Sequence, residues 1–471
     1  MPARMHPEKV KSIYLIAICG TGMASLAGLL KESGHRVTGS DNNIYPPMST
    51  LLTQAGIEIK PGYRKENISK DIDLVIIGNA VSRTNEEVKA VLEANLPYTS
   101  FPEALSRFFL EGRKSLVVAG THGKTTTTAL LSWVLNSAGK KPGFMVGGWM
   151  KNFDNNHQVP GGDFFVTEGD EYDTAFFDKE PKFLHYRPYA SILTGIEFDH
   201  ADIYRDLGHF KSSFKKYVEI IEPGGFLLVE FSDRNIPDIL THVSCLVETY
   251  GEDDRADWQW TAYRREDHGG RFALRHKGEN IGEYFIPMIG SHNAENAAAA
   301  AALTLKLGLT REEIAEGFRT FKGIKRRQEV VGEKNGIEII DDFAHHPTAI
   351  ERTVHAVKEA YPGRRVWAIF EPRSATSRRN IFQDLLPQSF KDADLVVIAG
   401  LFSPDKIKPE ERLDPESVVE SIRKEGRMAD FIPEARSIID LVTRKSRPGD
   451  VILIMSSGGF DGIHQKLLDR L

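Results

Sequence analysis

The chain is short of cysteine, of long apolar runs and of basic charge. Its 471 residues include two cysteines, Cys19 and Cys245, which are too few for a disulfide framework, so we expect a reducing, cytoplasmic environment. No apolar stretch approaches the about 20 residues of a transmembrane helix, and we expect neither a targeting segment nor membrane association. Lysine and arginine total 60 against 66 aspartates and glutamates, which leaves a net charge of −6. Proteins that neutralise nucleic-acid phosphates normally carry a basic excess, so we expect no nucleic-acid partner, and no motif implies an obligate protein partner.

Strand-like and helix-like segments alternate along the chain, which is typical of α/β domains with parallel sheets. Three segments open on a buried strand that leads into a glycine-bearing loop or a site motif, and these strands begin at Ile13, Leu116 and Val366. The polar residues 111–113 and the basic triplet 325–327 suit domain boundaries. We therefore predict a Rossmann-like N-terminal domain over 1–112, a central P-loop ATPase-like domain over 113–330 and a Rossmann-like C-terminal domain over 331–471.

The first strand and its glycine turn resemble the start of a dinucleotide fold. Glycines let the backbone approach a phosphate at a helix N-terminus, and an acid after the second strand can bind a ribose hydroxyl. Ser25 replaces the third glycine of the usual fingerprint, so a tight turn without a ligand is the alternative. Polar residues also follow the strand at 74–78, at its carboxyl end. The candidate ligands in this domain are Gly20, Thr21, Gly22, Ser40, Asp41, Asn79 and Ser82.

The strongest local motif is a shortened P-loop between a strand and a helical pattern. Its backbone amides can cradle phosphates, Lys124 can neutralise phosphate charge and the Thr125 hydroxyl can bind Mg²⁺. Val118 stands where the full pattern has a glycine. The candidate nucleotide-binding residues are Gly120, Thr121, His122, Gly123, Lys124 and Thr125.

Two further strand ends carry candidate metal ligands. Glu168 follows the predicted strand 163–167, and a carboxylate on a neighbouring strand is how such folds hold magnesium. A solvated acidic turn is the alternative, and it suits Asp170 and Asp173 better than Glu168. His200 lies between acids just after a buried strand, which makes it a candidate ligand.

Two motifs near the second boundary can complete a nucleotide site. Asn293 and Asn296 lie three residues apart on one helix face, and carboxamides both donate to and accept from an adenine edge. Helix capping explains one of them but not both. An arginine of the triplet 325–327 can reach a phosphate on domain closure, or the triplet can be a solvated charge run.

The third domain carries its polar residues at strand ends. Residues 341–348 include adjacent histidines, which point to opposite faces of an extended chain, so we favour polar active-site roles over a metal site. Arg373 and Ser456 follow two other strands, and arginine there suits the recognition of carboxylates.

The order of these motifs, which span nearly the whole chain, resembles the Mur ligase family, ATP-dependent enzymes that form amide bonds in peptidoglycan metabolism. The segments are most similar to the branch that joins UDP-N-acetylmuramate to the recycled tripeptide L-alanyl-γ-D-glutamyl-meso-diaminopimelate. The segments that carry this similarity are 45–50, 78–83, 171–179, 198–203, 341–348, 371–374 and 458–467.

The alternative within the family is the biosynthetic UDP-N-acetylmuramate–L-alanine ligase. That enzyme typically has two glycines in the first turn, where this chain has Cys19-Gly20, and a different motif in place of residues 371–373. Both departures favour the tripeptide-using branch.

The resemblance implies a role for each motif. It implies ATP phosphates at the P-loop including Thr126, adenine near Asn293 and Asn296, and Mg²⁺ at Thr125, Glu168 and His200. It implies the UDP-sugar on the first domain and the tripeptide near His345, Arg373, Ser374 and Ser456. The implied catalytic residues are Lys124, Arg327, Asp342 and His345, with Asp342 or His345 as the proton acceptor. Phe214 stands where many members carry a carbamoylated lysine, so we expect no carbamate here.

Three rival classes explain less of the sequence. A dehydrogenase or nucleotide-sugar epimerase rests on the first turn alone, and an ATP-gated switch leaves the polar residues of the third domain unexplained. A folylpolyglutamate synthetase shares the ATP chemistry but lacks the Rossmann-like first domain.

Overall fold

The computed structural model describes residues 7–471, which form two compact units of mixed α/β structure with parallel sheets, the fold class predicted above. The first unit comprises residues 7–197, 206–259 and 298–317, and the second comprises 198–205, 260–297 and 318–471. Within the described residues no helix is both long enough and apolar enough to cross a membrane. The domain boundaries at 112 and 330 stay a prediction.

The N-terminal sheet of the first unit has the strand order β3-β2-β1-β4-β5, with every pair parallel. β1 and β4 are buried along their whole length, as expected for parallel strands covered on both faces. Strand order reverses between β1 and β4, which is where such sheets bind ligands. The elements are β1 Ser12–Ile16, α1 Thr21–Glu32, β2 Arg36–Asp41, α2 Met48–Gln54, β3 Glu58–Pro61, β4 Leu74–Ile77, α3 Glu86–Glu93, β5 Tyr98–Ser100 and α4 Phe101–Leu105.

The second sheet of the first unit runs in the order β14-β13-β12-β6-β9-β7-β8, parallel except for the pair β7–β8. β6 lies inside it and leads directly into α5. The elements are β6 Lys114–Ala119, α5 Lys124–Ser137, β7 Gly143–Met150, β8 Asn155–Gln158, β9 Phe164–Gly169, β10 Asp173–Ala175, β11 Asp178–Pro181, β12 Ala190–Leu193, α6 Leu207–Glu219, β13 Phe226–Glu230 and β14 Leu246–Gly251.

Helix α1 of the N-terminal sheet packs against β8 of the second sheet. Asn156 Nδ2 donates to the buried Ser25 Oγ at 2.8 Å, and Ser25 Oγ donates to the carbonyl of Thr21 at 2.8 Å. One turn along, a Cβ on Gly28 would lie 2.2 Å from His157 Nε2, so only glycine fits there. Ser25 therefore has a packing role at the position where the dinucleotide fingerprint has glycine.

The second unit is built on a sheet in the order β18-β19-β23-β20-β21-β22, parallel except for the pair β18–β19. Alternate residues of β20 enter two separate cores, Val366, Ala368 and Phe370 on one face and Trp367 and Ile369 on the other. Helices α9, α10 and α11 contribute to the first core, and α12 and α13 to the second. The sheet is therefore covered on both faces, as predicted for this domain.

The remaining elements follow in chain order. They are β15 Trp258–Glu266, β16 Gly269–His276, β17 Glu279–Ile286, α7 Ser291–Lys306, α8 Arg311–Arg319, β18 Glu329–Lys334, β19 Ile337–Asp342, α9 Pro347–Ala360, β20 Val366–Phe370, α10 Leu386–Ser389, β21 Leu395–Ile398, α11 Pro415–Lys424, β22 Met428–Phe431, α12 Ala435–Lys445, β23 Val451–Met455 and α13 Ile463–Arg470.

Candidate functional site

The P-loop of the first unit owes its shape to two glycines with positive φ. Gly120 has φ +123°, and a Cβ there would lie 2.5 Å from Thr194 Oγ1 on the loop after β12. Gly123 has φ +77° and directly precedes α5, so the chain turns sharply into the helix at Lys124. The backbone amides before α5 therefore lie at a helix N-terminus, the arrangement that phosphate-binding loops use.

Lys124 is a largely buried cation, with 13% of its side chain exposed, and it pairs with a carboxylate. Its Nζ donates to the carbonyl of Gly120 at 2.5 Å and to both carboxylate oxygens of Glu171 at 3.2 and 3.1 Å. Burial pushes the pKa of Lys124 down, but the charges of Glu171, Asp170 and Glu168 outweigh it, so the pKa is raised overall. Lys124 is therefore charged near neutral pH and is held in place without a ligand.

Thr125 and Glu168, two of the predicted magnesium ligands, are in contact. Thr125 Oγ1 donates to Glu168 Oε2 at 3.0 Å, and the amide of Gly147 donates to Glu168 Oε1 at 2.6 Å. A hydroxyl beside a carboxylate is the oxygen donor set that Mg²⁺ prefers in phosphate sites. These residues fit the ion, and the third predicted ligand, His200, belongs to the second unit.

Thr121 and His122 join the P-loop to the segment after β12. Thr121 Oγ1 donates to the carbonyl of Glu197 at 2.9 Å and accepts from its amide at 2.8 Å. His122 Nε2 lies 3.3 Å from Glu197 Oε2. Thr126 is buried at the start of α5. The predicted nucleotide-binding residues of this unit thus form one connected cluster.

The residues predicted to bind the sugar nucleotide fall into two groups. Some are exposed, and others are buried with hydrogen-bond partners inside the protein. Gly20, Thr21 and Asn79 are exposed at the carboxyl ends of β1 and β4, and Gly22 is half-buried beside them. Ser82 is also exposed, and its hydroxyl contacts Thr84.

Ser40 and Asp41 are buried and already have internal partners. Ser40 Oγ donates to Glu87 Oε2 at 2.5 Å, and Asp41 accepts from the amides of Cys19 and Asn43 at 2.9 and 2.8 Å. Asp41 therefore holds the glycine turn through Cys19, whereas the Ser40 hydroxyl is bound to α3, and the predicted contact of both residues with a ligand stays a prediction.

In the second unit, residues 199–202 lie beside the histidines of the 341–348 motif. Burial alone would raise the pKa of Asp199, but His200, His345, a hydrogen bond from Thr376 and His346 together lower it well below its ordinary range. His200 adopts φ +55°, and its Nε2 lies 3.8 Å from Asp199 Oδ2. His345 Nδ1 lies 3.0 Å from the carbonyl of Phe343, whereas His346 caps α9. The adjacent histidines thus form different hydrogen bonds, although the charges of both act on Asp199.

Asn293 and Asn296 are both buried on one face of α7. Asn296 Nδ2 lies 3.3 Å from Asn293 Oδ1, and Asn293 Nδ2 donates to Gln328 Oε1 at 3.1 Å. The predicted pair is therefore in contact, and Gln328 joins it.

Asp342 and Arg327 lie near each other at the end of β19. Asp342 accepts from the amides of Gln328 and Ala344 at 2.8 and 2.7 Å. Burial raises its pKa, which the charge of Arg327 and these amides only partly oppose. The Arg327 guanidinium lies 4.6 Å from the centre of the Phe343 ring.

Arg373 and Ser456 meet at Glu371, a buried carboxylate. Ser456 Oγ donates to Glu371 Oε2 at 2.5 Å, and Arg373 Nη1 lies 3.5 Å from Glu371 Oε1. The Arg373 guanidinium stacks 3.7 Å from the centre of the Phe402 ring, and a Cβ on Gly458 would lie 1.9 Å from Arg373 Nε. Arg373 therefore occupies a close-fitting slot. Ser374 instead bonds to Ser377 within its own turn.

Sequence reasoning missed three side chains in these clusters. Glu171 balances Lys124, Gln328 contacts Asn293, and Glu371 connects Arg373 with Ser456. The signal for Glu171 and Glu371 was their place in acidic or polar motifs at strand ends. Gln328 had no such signal.

Comparisons with known proteins cover nearly the whole chain. Three family models match: "Mur ligase family, catalytic domain" at residues 12–113, "Mur ligase middle domain" at 118–304 and "Mur ligase, glutamate ligase domain" at 326–458. The UDP-N-acetylmuramate–L-alanyl-γ-D-glutamyl-meso-2,6-diaminoheptandioate ligase of Escherichia coli (strain K12) is 42% identical, covering 98% of each chain. The UDP-N-acetylmuramate–L-alanine ligase of Carboxydothermus hydrogenoformans is 33% identical, covering 98% of this chain and 97% of the relative. Among solved structures, a murein peptide ligase from Psychrobacter arcticus is 35% identical, with a TM-score of 0.73 over 98% of both chains.

Proposed function

Because this chain belongs to the Mur ligase family, we propose that it is an ATP-dependent ligase that joins UDP-N-acetylmuramate to the tripeptide L-alanyl-γ-D-glutamyl-meso-diaminopimelate during peptidoglycan recycling. The observation that carries the substrate choice is the identity over the full chain, which is higher to the tripeptide-using relative than to the L-alanine-using one. Since ATP and a UDP-sugar are the substrates, we also propose a cytoplasmic location.

A carboxylate is a poor electrophile, so the reaction needs two steps. A carboxylate oxygen of the muramoyl group attacks the γ-phosphorus of ATP, ADP leaves, and an acyl phosphate forms. The amino group of the tripeptide's alanine then attacks the acyl carbon, the tetrahedral intermediate expels phosphate, and the amine loses a proton. Negative charge on the transferring phosphoryl group raises the barrier to the first step. Hydrogen-bond donors that are already in position stabilise this charge and lower the barrier.

Lys124 and the P-loop amides supply those donors in the first unit. Because Glu171 already balances the Lys124 charge, ATP phosphates would compete with that carboxylate for the ammonium. Bound Mg²⁺ would neutralise phosphate oxygens, and Thr125, Glu168 and His200 are the residues that would hold it. Arg327 is the proposed second cation, and Asn293 and Asn296 are the proposed adenine ligands.

His345 is the proposed proton acceptor for the attacking amine. A carbonyl oxygen only accepts hydrogen bonds, so Nδ1 of His345 carries the hydrogen that points to Phe343. That bond fixes Nε2 as the basic nitrogen. The Asp342 carboxylate accepts hydrogen bonds from two backbone amides, so we propose that it positions the neighbouring chain.

The test is ATP-dependent phosphate release with UDP-N-acetylmuramate and either the tripeptide or free L-alanine. Turnover with the tripeptide alone is the expected result. Turnover with L-alanine alone would keep the family and the P-loop roles but make the protein a biosynthetic enzyme. No turnover with either amine would overturn the proposed reaction.

A further inference from the structure

Arg378 is a partly buried cation that has no carboxylate partner among residues 7–471. Its Nε donates to the carbonyl of Ser374 at 3.2 Å, and its Nη1 donates to the carbonyls of Phe402 and Ser403 at 2.9 and 3.2 Å. These three neutral acceptors hold the guanidinium in place without neutralising it. Nη2 has no protein acceptor within the described residues.

Other arginines of the same sheet differ in this respect. Arg364, just before β20, also donates to two backbone carbonyls, of Gly449 at 2.6 Å and Asp450 at 3.0 Å. Its Nη1 pairs with Glu338 at 3.2 Å. Arg365 forms a bidentate pair with Asp450. A guanidinium that is anchored and partly desolvated but left unpaired is unusual, because an uncompensated charge is costly away from water.

The charges around Arg378 increase that cost. Burial lowers the pKa of Arg378, the neighbouring cations Arg379 and Arg373 lower it further, and only Asp202 raises it. Arg379 lies 3.8 Å from Glu411, and Arg373 lies 3.5 Å from Glu371, so Arg378 is the member of this group without an ion pair. An anion would relieve the repulsion.

Phe402 fixes the two guanidinium groups relative to each other. Its ring stacks under Arg373, and its carbonyl accepts from Arg378 Nη1. Both arginines follow β20 at its carboxyl end, the edge where parallel sheets bind ligands. The turn that carries Arg378 also contacts residues 199–202, because Ala201 N donates to Thr376 Oγ1 at 3.4 Å. The arginine pair therefore lies on the same side of the second unit as His200.

We propose that Arg378 binds a carboxylate of the acceptor peptide, beside the carboxylate that Arg373 is proposed to bind. This inference rests on the proposed function. The tripeptide carries one free carboxylate on its D-glutamyl residue and two on diaminopimelate, whereas free L-alanine has a single carboxylate. A second preorganised guanidinium thus matches a peptide with several carboxylates, and guanidinium binds carboxylate in a bidentate, geometrically selective way.

The first test is Arg378→Lys, which keeps the charge but loses the planar fork. We expect the KM for the tripeptide to rise about tenfold or more while the KM values for ATP and UDP-N-acetylmuramate stay within about twofold. Arg364→Lys is the matched control, because it removes a similarly anchored guanidinium from the opposite end of β20 and should leave all three KM values unchanged. An unchanged KM for the tripeptide in Arg378→Lys would overturn the inference.

The second test identifies the carboxylate. Three tripeptides, each with one carboxylate converted to the amide, are compared in the wild type and in Arg378→Lys. The amide that removes the partner of Arg378 should weaken the wild type strongly and the variant little, which is the coupling expected of two groups in contact. Equal losses in both proteins for all three peptides would contradict a direct contact.

A third measurement needs no variant to fold. Phenylglyoxal modifies accessible arginines, and mass spectrometry reports the modification of Arg378 in the wild type. Tripeptide should protect Arg378, and ATP with UDP-N-acetylmuramate should not; the reverse pattern would refute the assignment. A wild type that does not turn over the tripeptide would instead refute the proposed function, so the two failures are distinguishable.

Discussion

Two loops at the carboxyl ends of buried parallel strands each hold a cation, but the groups that contact the two cations differ in charge. In the first unit, the P-loop lysine, Lys124, is largely buried and paired with both oxygens of Glu171. In the second unit, Arg378 after β20 is held by carbonyls alone. Both side chains are partly exposed, so the difference lies in what surrounds them: Lys124 pairs with the fully buried carboxylate of Glu171, whereas Arg378 has only neutral carbonyls as acceptors. If both proposals hold, a phosphate at Lys124 has to compete with Glu171, whereas a carboxylate at Arg378 has no internal partner to displace.

The largest effect should come from breaking the buried pair. Lys124→Ala should lower kcat about a thousandfold or more, because it removes a donor to the transferring phosphoryl group. It should also destabilise the protein by about 3 kcal/mol, since the buried carboxylate of Glu171 loses the cation that balances its charge. Turnover and thermal unfolding measure the two effects.

The double variant Lys124→Met/Glu171→Gln separates the two effects. Stability should recover in it, because neither charge remains, while turnover should stay lost. Near-native turnover in any folded Lys124 variant would refute the role of the P-loop.

Glu168→Gln tests the oxygen donors beside the same loop. Gln keeps an acceptor for the Gly147 amide but removes the charge next to Thr125. We expect the half-saturating Mg²⁺ concentration to rise at least about tenfold, with a smaller change in the KM for the tripeptide. Asp170→Asn, in the same acidic run, is the control and should change the Mg²⁺ requirement less. Equal shifts in the two variants would argue against Glu168 as the ligand.

Gly458→Ala tests the slot around Arg373 in the second unit. The new methyl group would lie 1.9 Å from Arg373 Nε, so the guanidinium must leave its place between Phe402 and Glu371. We expect the KM for the tripeptide to rise about tenfold, with the KM for ATP unchanged. Gly459→Ala is a matched control, because a Cβ there meets nothing within 4 Å and φ is −81°. A KM change confined to ATP would move Arg373 into the nucleotide site.

The smallest expected effect is the contribution of Asp342 to the pH dependence of the free energy of unfolding. Its pKa in the folded protein is raised by burial, so the folded state holds the proton more tightly than the unfolded state. The stability from this group is therefore complete below the unfolded pKa near 4 and is lost as pH rises toward the folded pKa. Relative to Asp342→Asn, the wild type should lose at most about 1.4 kcal/mol per pH unit across that window, which unfolding measured from pH 4 upward would detect.

For Asp199→Asn we expect the opposite pH dependence of the free energy of unfolding. The pKa of Asp199 is lowered in the folded protein, so its stabilisation is present above the unfolded pKa and is lost as pH falls. Slopes of the same sign in both variants would contradict the contrast between the two carboxyl groups.

Much of the architecture could be predicted, because buried parallel strands appear in the sequence as short apolar runs between glycines. The predicted strand 366–370 is observed as Val366–Phe370, and the P-loop leads into a helix at Lys124 as expected. The apolar run before the 341–348 motif predicts a strand from Gly336, but that strand begins at Ile337, since Gly336 has φ +74° and belongs to the preceding turn. Such differences arise where a turn residue borders a strand.

The pairing of polar groups was less predictable, because it depends on contacts between distant segments. Ser40 and Asp41 follow β2 as expected, yet Ser40 bonds to Glu87, which lies 47 residues away. Arg378 gave no signal at all, since its unpaired state is visible only once the carbonyls of Phe402 and Ser403 are brought beside it. Sequence patterns locate strand ends well but do not show which side chains are already engaged.

Ser25 has a consequence for any redesign of the first domain. The residue that departs from the dinucleotide fingerprint is the one that joins α1 to β8 through Asn156. Replacing Ser25 by glycine would complete the fingerprint but remove that hydrogen bond. At this position a match to the motif and the attachment of the helix to the second sheet exclude each other.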